Sequence, residues 1–112
     1  TGEPMNSALV TTGPPIFMVG STKIMQLSAF MGGLWWDLTG GSAVLLMTGP
    51  DGTAYAYDAT IQNGGAVRPW TVPNSAGTWV RAWKATDATG IIQYTQPLVF
   101  RVIVSPGTPY YN

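Results

Sequence analysis

Few side chains in this sequence are equipped for chemistry, and their identities narrow the choice at once. The 112 residues contain no Cys and no His, so thiolate nucleophiles, Ser-His-Asp constellations and the commonest metal ligand are missing. Asp37, Asp51, Asp58 and Asp87 stand far apart in sequence. They lack the dense run of oxygen ligands that a Ca²⁺ site takes. Asp37-Leu38-Thr39-Gly40 has the outline of an acid-protease loop, but Leu38 interrupts the Asp-Thr-Gly tripeptide and the segment reads as a turn. Asp51 and Asp87 read the same way, as turn residues bonding nearby amides. Gly40-Gly41 and Gly64-Gly65 lack the strand–helix context of a phosphate loop. The expectation is no enzyme: no catalytic residue, no metal ligand and no cofactor.

The aromatic residues carry more information. Trp79, Arg81 and Trp83 share one parity of a segment that reads as a strand. That parity sends Trp79, Trp83 and Ala85 inward, and Val80, Ala82 and Lys84 outward. Arg81 is then a misfit, because a buried unpaired guanidinium is prohibitively costly. It must either stack between the indoles and reach a carboxylate, Asp37 or Asp58, or lie where the face is open to water. Tyr55 and Tyr57 share one face of another strand. They are candidates for a sugar-stacking platform, a protein interface, or simple intramolecular packing. Adjacent Trp35 and Trp36 should point to opposite faces, so only one of them can join such a platform.

Composition restricts the setting. Charged residues make up 9% of the chain, with five basic and five acidic side chains that cancel. No basic patch favours nucleic acid, and the apolar runs fall short of the ~20 residues of a membrane helix. A neutral, charge-poor surface suits a protein largely covered in an assembly.

Elements able to position these residues are strands. The 14 Gly and 9 Pro punctuate the sequence too often for helices, and apolar residues alternate with a period near two. The expected strands are 16–19, 23–30, 43–48, 54–61, 66–72, 78–86, 91–94 and 98–104. "GPDG" at 49–52, "NGG" at 63–65 and "TDATG" at 86–90 supply turns. Met25, Leu27, Ala29 and Met31 form one predicted core face; Leu98, Phe100, Val102 and Val104 form another. Gly-, Pro- and Ser-rich stretches flank the domain at 15–104 as an N-terminal arm, 1–14, and a C-terminal arm, 105–112. Met5, Leu9 and Val10 in the first arm and Tyr110 and Tyr111 in the second are candidate interface anchors. The segment 16–19 is expected as an edge strand that starts the sandwich.

The segments "WDLTGGSAVLLMTGPDGTAYAYDATI" and "GAVRPWTVPNSAGTWVRAWKATDATGIIQYTQPLVFRV" complete a pattern. In order, it comprises Asp37–Gly40, Pro50–Thr53, Ala59–Ile61, Trp70-Thr71, Ala76–Trp79, Thr86–Gly90 and Phe100–Val102. Over about residues 20–104 it resembles small immunoglobulin-like β-sandwich proteins of tailed bacteriophages. It is similar to the N-terminal domain family of phage upper-baseplate proteins. Arg81 and the apolar N-terminal arm depart from that pattern. The resemblance implies an all-β, immunoglobulin-like antiparallel sandwich of about seven to eight strands with extended arms. It implies a non-enzymatic virion protein, most simply a decoration or accessory subunit on a capsid or tail lattice. Its partners would be other virion proteins and copies of itself, without nucleic acid or membrane. The alternative is a carbohydrate- or receptor-binding module of a tail fibre or secreted protein.

Overall fold

A computed structural model describes residues 16–104, so Met5, Leu9, Val10, Tyr110 and Tyr111 lie outside the described residues. Those described form strands and turns only. The strands are β1 (Ile16–Met18), β2 (Thr22–Leu27), β3 (Phe30–Met31), β4 (Leu34–Trp35), β5 (Ser42–Thr48), β6 (Ala54–Asp58), β7 (Thr60–Gln62), β8 (Gly65–Thr71), β9 (Gly77–Thr86), β10 (Ile92–Tyr94) and β11 (Leu98–Ile103). A larger sheet runs β1-β11-β9-β5-β6, with β10 pairing the far end of β9; a smaller one runs β2-β8-β7; β3 and β4 form a separate hairpin. All pairings are antiparallel except β1 with β11.

Alternation makes the two sheets stack. Ala43, Leu45 and Met47 of β5, Trp79 and Trp83 of β9, and Phe100 and Val102 of β11 are buried on one layer. Met25 of β2 and Ala66 and Trp70 of β8 meet them from the other. Trp79 is the centre: its ring lies 5.4 Å from Trp70, 5.7 Å from Tyr55 and 6.2 Å from Phe100. Aromatic pairs at such separations add to the gain from burial. The inward places of Trp79, Trp83 and Ala85 are those their parity predicts.

All three predicted turns form. Gly52 N–H donates to the Gly49 carbonyl (3.0 Å). Asn63 and Gly64 take φ of 54° and 78°, the pair of positive values that a tight primed hairpin turn needs. Asp87 closes 86–90 through Thr89.

Four expectations need correction. The segment 54–61 is two strands rather than one: pairing with β5 ends at Asp58, Ala59 still donates to the Ala43 carbonyl of the larger sheet, and β7 then joins the smaller sheet. The segment 23–30 ends its pairing at Leu27, and Phe30 instead opens the β3–β4 hairpin. Met31 is exposed, so the predicted face Met25–Leu27–Ala29–Met31 loses its last member. Leu98 and Val104 are also exposed, leaving Phe100 and Val102 as the buried pair of their face. A three-stranded layer cannot cover a six-stranded one, so the margins of the larger sheet stay open.

Candidate functional site

Asp37 and Asp87 head two copies of one local device. In Asp37-Leu-Thr39-Gly40 and Asp87-Ala-Thr89-Gly90 the Thr amide and hydroxyl both donate to the Asp Oδ1, at 2.9 and 2.7 Å in each. Asp51 accepts the Thr53 amide in a third Asp-x-Thr turn. These carboxylates are committed to turn closure, as the sequence suggests. Asp87 gathers most, accepting also from the Ile91 amide (3.0 Å) and the Trp36 indole N–H (2.9 Å). Its pKa is lowered to about 2, first by the Thr89 hydroxyl and then by the Trp36 indole.

A carboxylate held below its ordinary value stabilises the fold above the unfolded-state pKa, and the gain is lost as pH falls through the folded-state value. The thermal midpoint is therefore expected to decline between pH 4 and 2, and Asp87→Asn to flatten much of that decline. Melts followed by tryptophan fluorescence at pH 2–5 measure it. A slope unchanged by the substitution would show that Asp87 is not the acid-sensitive link.

Arg81 takes the second of its two predicted solutions. It does not pair with Asp37 or Asp58 and does not stack between the indoles. Its Nη1–H points to Met25 Sδ at 3.2 Å, a weak acceptor. The side chain is half-buried and opens on a groove of about 370 Å³ with Gln26, Ser28, Thr95 and Gln96 along it. The groove leaves the guanidinium open to solvent, which lessens the need for a buried counter-ion. Arg68 repeats the pattern on the facing sheet, between Ala66 and Trp70 and directly across from Met25. Its Nη1–H donates to the Asp58 carbonyl at 3.1 Å and its guanidinium lies 5.1 Å from the Tyr57 ring centre. The alternation Ala66-Arg68-Trp70 carried the signal for this second inward cation.

Tyr55 and Tyr57 lie parallel within 2°, centroids 6.3 Å apart. Tyr55 also stacks on Trp79 and Tyr57 lies under Arg68. The rings belong to a chain of contacts that continues into the core, which favours the intramolecular reading over a sugar platform. Trp35 and Trp36 do part: Trp36 is half-buried on Asp87, and Trp35 is exposed at the hairpin.

The feature missed in sequence is that hairpin. Phe30, Met31, Leu34 and Trp35 around Gly32-Gly33 are all exposed. A glycine pair between apolar residues is a hairpin signal, and it was available. Two grooves, of about 210 and 370 Å³, run from this hairpin past Tyr94 and Thr95 to Leu98. In comparisons with known proteins, no family model, no curated protein and no solved structure matches this chain.

Proposed function

We propose that this chain is a non-enzymatic structural subunit of a tailed-phage virion, an accessory or decoration protein held on a capsid or tail lattice. The observation that carries the reading is the set of exposed apolar side chains at one end and flank of the sandwich, beside which Lys84, opposite Tyr94, and Arg81, opposite Leu98, are the charged neighbours in register. Phe30 and Tyr94 are 65% and 64% exposed, and Met31, Ile92 and Leu98 extend the surface. With aromatic side chains worth about 150–250 Å² each, such a surface lies in the range that marks interaction sites. A lattice contact of about 800 Å² per partner removes it from water.

The strand layout supports the immunoglobulin-like part of the reading. Strands β2-β8-β7 facing β11-β9-β5 correspond to the two layers of that sandwich. Trp79, near the start of β9, donates its indole N–H to the Ser75 carbonyl at 2.8 Å. This back-bond closes the corner before the strand, as a tyrosine hydroxyl does in immunoglobulin-like domains.

The test is particle composition and attachment. Mass spectrometry of purified particles from the source phage is expected to find the chain in stoichiometric amount. Ile92→Asp with Tyr94→Asp is expected to leave the circular dichroism spectrum intact and reduce co-sedimentation with particles at least tenfold. Absence of the chain from particles, or full attachment of the double variant, overturns the proposal.

A further inference from the structure

The outer face of the smaller sheet holds polar side chains that make no hydrogen bond within the described residues. Gln26 of β2 and Gln62 of β7 alternate with core positions and are exposed, and the turn after β7 adds exposed Asn63. Among the described residues, none of these three amide side chains has a hydrogen-bond partner. Trp35 walls the same area. Its indole lies so close over Gly64 that a Cβ there would stand 2.5 Å from Cζ2. Between wall and sheet runs a groove of about 420 Å³, with Gln26, Ser28, Gln62 and Asn63 along it and Gly65 and Val67 in its floor.

We propose that this groove binds a neutral saccharide. Trp35 would stack on the C–H face of a sugar ring, and Gln26, Gln62 and Asn63 would hydrogen-bond its hydroxyls. Three observations select that chemistry. No Lys, Arg, Asp or Glu lines the groove itself; Arg81 lies in the adjoining groove beyond Gln26 and Ser28 and donates to Met25, and the Asp37 carboxylate beside the indole is taken up by Thr39. Each amide offers both donors and an acceptor, and so do sugar hydroxyls. The indole is 55% exposed and pinned beside the amides, giving an apolar wall next to polar groups, the usual composition of a small-ligand site of this size. Trp35 shares its hairpin with Phe30 and Met31, but Ile92 and Tyr94 do not line this groove, so variants at those two residues and at Trp35 let either proposal fail alone.

The experiment titrates the purified full chain with a panel of neutral and charged oligosaccharides, read by calorimetry and by NMR. Saturable binding to a neutral member is expected. Trp35→Ala should weaken it about tenfold or more, and Gln62→Ala about two- to tenfold, the loss of one hydrogen bond. Tyr57→Ala should leave it unchanged, and Trp35→Phe should retain part of it. Since Trp35 is exposed, the melting temperature of Trp35→Ala serves as the folding control. No saturable binding at millimolar concentrations, preference for charged glycans, or binding indifferent to Trp35→Ala each overturns the proposal.

Discussion

Trp79→Ala is expected to destabilise the domain by about 3–5 kcal/mol, the range for deleting a fully buried aromatic. Against a total of about 5–15 kcal/mol for a domain of ordinary stability, that leaves a fold near its threshold. Trp79 is 1% exposed and touches Trp70, Phe100 and Tyr55. Its removal therefore opens a cavity shared by both sheets, and it also leaves the Ser75 carbonyl without its indole donor. Trp79→Phe separates these effects: it retains most of the packing and loses the bond, and should cost about 1–3 kcal/mol. Urea unfolding followed by circular dichroism measures both. A loss under 1 kcal/mol for Trp79→Ala would mean that the core is not centred on this indole.

The second large effect comes from the smallest side chain. Gly41→Ala is expected to cost about 1–3 kcal/mol, as overpacking does when backbone must move. A Cβ at Gly41 would collide with the Thr86 carbonyl and press on Asp87 at 2.9 Å. No flexible side chain stands there to yield. The two Asp-x-Thr-Gly turns touch at this place, where β5 begins to pair with the end of β9 through Ser42 and Thr86. The same urea series reads the loss, and the fluorescence of Trp36, bonded to Asp87, should change with it. Wild-type stability for Gly41→Ala would show that the two turns separate at little cost.

Most of the fold was legible because period-two alternation and turn chemistry are local. The turns at 49–52, 63–65 and 86–90 each follow from residues that dictate their own backbone, and Trp79, Trp83 and Ala85 follow from parity alone. What escaped is non-local. The run 54–61 alternates the same way on whichever sheet it joins, so nothing in it marks the switch at Ala59. Likewise Leu98 and Met31 are as apolar as Phe100 and Met25; only the extent of the facing layer decides which are covered. Arg81 is a misfit by its parity, but its accommodation depends on a groove built from Gln26, Ser28, Thr95 and Gln96, residues distant in sequence. The candidate sugar groove is of the same kind. Trp35 stands out in the sequence as an aromatic, while Gln26, Gln62 and Asn63 acquire meaning only when β2, β7 and the hairpin converge.

The one parallel pairing among the described residues, β1 with β11, bears on how the domain answers a pull. Ile16 lies opposite Arg101 and Met18 opposite Ile103. Tension applied through the chain before Ile16 and after Ile103 drags these two neighbours in opposite directions along their length. Their hydrogen bonds then resist together in shear instead of unzipping one by one. A load entering at one end of residues 16–104 and leaving at the other thus meets this pair in shear.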